Sequence, residues 1–227
     1  MIAVNGGAND DLLSKPFVLV LALALVSLLP FIFMAFTAFV KISTVFQIAK
    51  SALGVQSVPS NTVIMALAAS LTILAMAPVG EKIIARVTPI LHDKALDTTT
   101  LIERGAAAVA EPMREFLKSN ASDTERARFF EVARNARPEA ERERVGRDDL
   151  TILAPAFVVT ELTEAFAVGF LIFLPFLIID LVVANVLLSL GMQTLNPTQV
   201  SLPFKLLLFV AINGFGLLAQ ALVAGYR

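Results

Sequence analysis

The sequence predicts an all-α integral membrane protein with about four hydrophobic segments in kinked helical hairpins and a small helical extracytoplasmic domain. Three observations predict it. The chain is 57% hydrophobic, above the 45–50% usual in soluble domains, and its mean hydropathy is +0.78. Its charge is segregated: residues 81 to 149 hold 13 basic and 14 acidic residues, 27 of the 37 in the chain. Finally, "LTILAPAFVVTELTEAFAVGFLIFLPFLIIDLVVANVLLSL", Leu150 to Leu190, is almost wholly apolar yet contains Glu161, Glu164 and Asp180.

Taken in order, the acidic start "MIAVNGGANDDLLSK" followed by the apolar run Pro16 to Val40 argues for a first membrane segment rather than a cleaved signal peptide. Pro30 is the expected kink, because proline removes one helix bond and crowds the preceding turn. Lys41 to Asn61 reads as a polar connector with Lys41, Lys50 and no acid. The positive-inside rule places it in the cytoplasm and the N-terminus outside. A second span, Thr62 to Val79, closes the first of three divisions, residues 1–80, 81–149 and 150–227.

The middle division reads as short helices. Ser122 and Glu125 have capping-box spacing ahead of Phe129, Phe130 and Val132. Val109, Met113, Phe116 and Leu117 share a helical face that begins near Pro112, a residue suited to a first turn. "EAERERVGRDD" reads as a solvated, alternating-sign linker. With two spans before it, this division is expected outside.

As one helix, the 41-residue stretch would be about 60 Å long, twice the hydrocarbon thickness. It is therefore expected to be two things: an amphipathic lead-in carrying Glu161 and Glu164, then a kinked span from about Ala165. Leu202 to Tyr226 is the last hydrophobic segment. It follows a turn at Asn196 and Pro197, so the last two segments form an antiparallel hairpin. With its apex at that turn, Asp180 lies level with Asn213, and the two are expected to hydrogen-bond. Lys205 either snorkels or pairs with an acid of a neighbouring chain. Pro155, Gly169, Pro175, Gly191, Pro203, Gly214 and Gly216 interrupt the segments. Such breaks at membrane depth need protein or water to satisfy the freed backbone groups, which points to a packed assembly with Pro30, Pro155, Gly169, Pro175, Gly191 and Gly214 as hinge positions.

No catalytic constellation, cofactor motif or metal-ligand spacing is present: the chain has one histidine and no cysteine. Its balanced charge gives no argument for nucleic acid. Glu161 and Asp180, 19 positions apart, are about 28 Å apart along a helix and cannot pair with each other. A proton-coupled transporter using them as a relay, and a membrane scaffold with no passage, are the alternatives the residues leave open.

The stretch from Leu150 to Met192, with "SLPFKLLLFV" after it, closely resembles the FliP/SctR family of type III secretion export-apparatus proteins. So do "LLPFIFMAFTAFVKI" from Leu28 and "ALGVQSVPSNTV" from Ala52. The resemblance implies a core subunit of an export gate in the bacterial inner membrane, with residues 81–149 on the periplasmic side. It implies a homo-oligomer, pentameric in the family, joined by SctS/FliQ-like and SctT/FliR-like subunits and by the export-switch and large export-gate subunits. Unfolded secreted proteins pass through, and the assembly meets membrane lipid. "GMQTLNPTQVSLPFKLLLF" looks more like the injectisome branch. Glu161 and Asp180 match the family's intramembrane acids, and Lys205 matches the lysine of its "LPFK" motif. The family's methionine-rich constriction falls on Met192, Gln193, Thr194 and Leu195. Only Met192 keeps the methionine, with Leu195 as a substitute in a flexible apolar seal. Asn213, Gly214 and Phe215 stand where the family commonly shows Asp, Gly and Trp.

Overall fold

A computed structural model describes residues 15–55, 57, 59–93 and 97–226. The acidic N-terminal stretch before Lys15 lies outside the described residues. Every regular element in them is a helix. The chain divides at Met34 into two units. The first is described over residues 15–34, which lie in helix α1, Lys15–Phe36; the helix runs unbroken through Pro30, so the proline does not end it.

The second unit is built on α2, Phe39–Leu53, against α6, Leu150–Ser189. The connector predicted from Lys41 is therefore in large part a buried helix. Phe39, Ile42, Phe46, Ala49 and Leu53 recur at helical spacing and all are buried. Gly54 ends α2 in the left-handed conformation, φ 77°, which glycine adopts without strain.

The second span also departs from its predicted limits. Helix α3, Asn61–His92, does not stop at Val79 but continues through Pro78 and Gly80 into the charged division. Ser60 caps it by accepting from the Val63 N–H at 3.3 Å. Helix α4, Thr98–Asn120, starts at the Asp97 cap, so Pro112 lies inside it rather than in its first turn. The buried face is Ala108, Pro112, Phe116 and Leu117, while Val109 points to solvent.

Helix α5, Asp123–Asn135, starts at the expected Ser122, whose hydroxyl accepts from the Glu125 N–H at 3.2 Å. The other half of the capping box is redirected: the Ser122 N–H donates at 3.0 Å to Thr160 Oγ1 on α6. Val132 is exposed, so the small apolar face of α5 is narrower than expected. A short 3₁₀ helix, Glu139–Arg144, follows.

Residues 81–149 are thus helical but not free-standing. Phe116, Leu117 and Ala121 share one core with Leu153, Ala156 and Phe157 of α6, against Met76 and Val79 of α3. The lead-in and the span of the long apolar stretch are a single 40-residue helix, α6, with Pro155 and Pro175 inside it. What changes along α6 is its surroundings. Its first half is covered by α4 and α5, and from Phe166 onward it exposes Phe170, Leu171, Leu177, Ile178, Leu181 and Val182. Helices α7, Pro197–Ala211, and α8, Gly214–Ala224, complete the chain and meet at a 56° bend. Among the described residues two helices, α3 and α6, are long and apolar enough to cross a membrane, and the number rises to four if each bent pair of helices forms one span.

Candidate functional site

Two polar clusters lie in the apolar interior, one at each end of α2, and each is built around a lysine. At the start of α2, Lys41 Nζ lies 3.2 Å from Glu161 Oε1 and also pairs with Glu164. Glu161 is fully buried, whereas the Glu164 side chain is 52% exposed. The hydroxyl of Tyr226, the last residue described, donates to Glu161 Oε2. Lys41 Nζ sits 4.9 Å from the centre of the Tyr226 ring, a cation–π distance. A buried carboxylate is tolerable only when paired and hydrogen-bonded. Glu161 meets that demand from two other segments, through Lys41 of α2 and Tyr226 beyond it in sequence, while Glu164 reaches water.

At the other end, Lys205 of α7 is only 3% exposed. Its Nζ lies 2.6 Å from Asp180 Oδ2 and 3.2 Å from the carbonyl oxygen of Ala52. That carbonyl belongs to the last turn of α2, where helix oxygens lack partners and a cation is favoured. Ser201 Oγ donates to the second Asp180 oxygen. Nearby, Lys50 donates to Asn61 Oδ1 at 2.8 Å. Lys205 therefore does not snorkel, and its partner is an acid of its own chain.

This geometry corrects the expected bond between Asp180 and Asn213. The turn is not confined to Asn196 and Pro197 but spans residues 190–196, with α6 ending at Ser189 and α7 beginning at Pro197. Counted from the helix ends, Asp180 is nine residues before the turn and Lys205 eight residues after it, so these two are level. Asn213 lies beyond the end of α7, in the left-handed region at φ 52°, with its side chain folded over Gly216.

The proposed gate residues lie in that turn. Leu190 to Met192 close α6 with the Met192 N–H on the Leu187 carbonyl at 2.9 Å and the Gly191 N–H on the Leu188 carbonyl at 3.1 Å. This is a Schellman ending, and it needs the positive φ of Gly191, 73°. Asn196 then caps α7 by accepting from the Thr198 N–H at 3.0 Å. Between these fixed ends, Met192, Gln193, Thr194 and Leu195 are all exposed, Met192 by 47% and Leu195 by 44%.

The other interruptions fall at different places in the packing. Gly169 lies where α6 passes α2: a Cβ there would sit 2.5 Å from Ile48 Cδ1. Gly214 gives room for the Phe209 ring, into which a Cβ would run. Pro155 and Pro175 each remove one bond, to the Thr151 and Leu171 carbonyls, without ending α6. Tyr226, Ser201 and Thr160 were not singled out from sequence, and Lys41 was read there as a connector charge rather than as an interior partner. It could have been read as one, because it sits one residue before Ile42 in the apolar stripe of α2.

Among the described residues no group of His, Cys, Asp and Glu could hold a metal ion. The FliP family profile matches residues 22–222. The chain belongs to the FliP family. Its relatives include the hypersensitivity response secretion protein HrcR of Ralstonia nicotianae, 41% identical over 92% of this chain and 96% of that protein. The Yop proteins translocation protein R of Yersinia pestis is 40% identical over 92% and 95%. The flagellar biosynthetic protein FliP of Caulobacter vibrioides is 37% identical over all of this chain and 82% of its own length. Members of the FliP family are structural components of a secretion apparatus rather than enzymes, and these matches agree with the injectisome branch.

Proposed function

We propose that this FliP-family chain is a core subunit of the type III secretion export gate in the inner membrane. Copies of it, five by analogy with the family, form with SctS/FliQ-like and SctT/FliR-like subunits a gated passage for unfolded secreted proteins, with residues 81–149 on the periplasmic side. The export-switch and large export-gate subunits supply the neighbouring machinery.

The observation that carries this reading is the tip of the α6–α7 hairpin. Its backbone is fixed at both ends by helix caps, yet the four side chains it presents are exposed and include Met192 and Leu195. In a ring of such hairpins, adaptable apolar side chains would close on one another when idle and around an extended chain in transit. The flanks of the hairpin, bare and apolar on α6 and α7, suit burial against other copies or lipid. The charges within it are matched inside the chain, since Lys205 answers Asp180, which favours an assembly subunit over a relay of free acids.

The test is ion conductance of the assembled complex with Met192→Ala and Leu195→Ala together. Leakage is expected to rise. Unchanged conductance in a correctly assembled variant rejects these residues as the seal.

A further inference from the structure

We infer that α8 is a hinged arm held shut at its far end by Tyr226, which bonds the buried Glu161. This goes beyond the export-gate reading and does not depend on it.

The near end has the features of a hinge. Helix α7 ends at Ala211 and α8 starts at Gly214 after a 56° bend. The break rests on Asn213 at φ 52° and ψ 49°, the one non-glycine residue with positive φ among the described residues. Asparagine is among the few side chains that tolerate this region. Phe215, just beyond, packs edge-on against Phe209 with ring centres 4.8 Å apart, which anchors the hinge side.

Between the hinge and Tyr226 the arm is held by apolar packing: Phe215 stacks on Phe46 of α2 with ring centres 6.2 Å apart, and Leu218, Leu222 and Val223 pack on the core of α2 and α3. Within its 11 residues only Gly214 and Leu222 are buried, and an isolated helix of that length is marginal in water. The far end, by contrast, is tied in four ways. The Tyr226 hydroxyl donates to Glu161 and lies 3.3 Å from the Ala38 carbonyl oxygen. The ring stacks on Phe116 of α4, centres 6.0 Å apart, with Lys41 over its face. Tyr226 therefore touches α2, α4 and α6 together. Glu161 is shared between Lys41 and this hydroxyl, and Lys41 is shared between Glu161 and Glu164. The hydroxyl is the bond in this set that belongs to the segment following α8.

Release of the arm would uncover the core it covers, where Leu222, Leu218 and Val223 pack with Ile42, Ile64 and Ala68. Tyr226 is thus a positioning residue: it places α8, and it leaves Lys41 free to serve both glutamates.

The native chain has no cysteine, so Leu222→Cys gives a single buried reporter in the full-length protein in detergent. The measurement is its labelling rate with a maleimide. In that background Tyr226→Phe removes only the hydroxyl, Glu161→Gln keeps an oxygen that can accept from it, and Glu161→Leu does not. Loss of a hydrogen bond to a charged group corresponds to about tenfold or more in opening. Labelling should accelerate by about that factor in Tyr226→Phe and Glu161→Leu and by clearly less in Glu161→Gln. Hydrogen exchange across α5 should stay unchanged. Reference-rate labelling in Tyr226→Phe, or Glu161→Gln as fast as Glu161→Leu, overturns the inference. Exchange that rises through α5 as much as through α8 also overturns it, because Tyr226 would then hold the whole fold rather than an arm.

Discussion

Replacing Lys205 by Met removes the cation of the Asp180 pair while keeping most of the side-chain volume. Breaking a fully buried pair from one side costs about 3–5 kcal/mol, because the remaining charge is stranded. Here the Asp180 side chain is 30% exposed and keeps its bond from Ser201, which brings the cost nearer ~2 kcal/mol. The Ala52 carbonyl loses its donor as well, adding roughly 1 kcal/mol. A loss of about 3 kcal/mol corresponds to a fall of roughly 6–12 °C in melting temperature for a chain of this length. The assay is thermal unfolding of the purified protein in detergent, comparing Lys205→Met, Asp180→Leu and the double variant. Since replacing both partners of a buried pair with apolar groups is often close to neutral, the double variant should recover most of the loss. The difference is a coupling energy that only a direct interaction produces. A single variant that melts within about 2 °C of the parent, or a double variant no better than Lys205→Met, would refute the reasoning.

The cluster at the start of α2 predicts an ordering in the same assay. Lys41→Met, which strands the buried Glu161, should cost several-fold more than Glu164→Gln, because the half-exposed Glu164 carboxylate reaches water and its pair with Lys41 is worth at most about 1 kcal/mol. Equal losses would mean that the burial of Glu161 does not matter. Gly169→Ala should destabilise by about 1–3 kcal/mol because its Cβ meets Ile48 not only at the Cδ1 tip but also at the branched Cγ2 and Cβ, which cannot swing aside; a trimmed partner, Ile48→Ala, should relieve part of that in the double variant. In the charged division, the Glu115 carboxyl is held below its usual range by Lys82 and then Arg86, and that of Asp148 chiefly by Lys118. Groups with lowered folded-state pKa stabilise above their ordinary range and lose that contribution as pH falls through the folded values, so hydrogen-exchange protection of α4 should drop below about pH 4. Glu115→Gln with Asp148→Asn should flatten that drop, and an unaltered profile would exclude these pairs as its cause.

The class of fold was legible because a membrane sequence declares itself through long apolar runs, and the cap at Ser122 and the turn signal at Asn196 were legible because they are local. The register of the last hairpin was not. A turn read as the dipeptide Asn196-Pro197 is in fact preceded by six further residues that already left the helix, since Gly191 at positive φ ends α6 early. Each residue added to a turn shifts the level of the partner, and here the shift moved Asp180 from Asn213 to Lys205. The continuous α6 was equally hidden. Its apolar length exceeds a bilayer only if the whole of it must lie in one, and the face that α4 and α5 cover could not be seen from the pattern of α6 alone.

The harder miss, α2, shows how charge misleads in such chains. A lysine in an apolar run marks a boundary if it is counted as a group seeking water, and Lys41 and Lys50 together turned a buried helix into a cytoplasmic connector. In the fold, Lys41 answers two glutamates and Lys50 an asparagine side chain. Neither is a free loop charge of the kind the positive-inside rule counts, so the orientation of residues 81–149 has to be measured rather than counted. A single cysteine at exposed Glu131 in the otherwise cysteine-free chain does so in cells. Labelling by a membrane-impermeant maleimide added to the periplasmic side supports the proposed orientation. Protection there, with labelling only after the inner membrane is opened, places the division in the cytoplasm instead. The same reasoning tells where lysines in related chains should be read as interior: where an acid one helix away has no other partner, and where the apolar stripe continues on both sides of the charge.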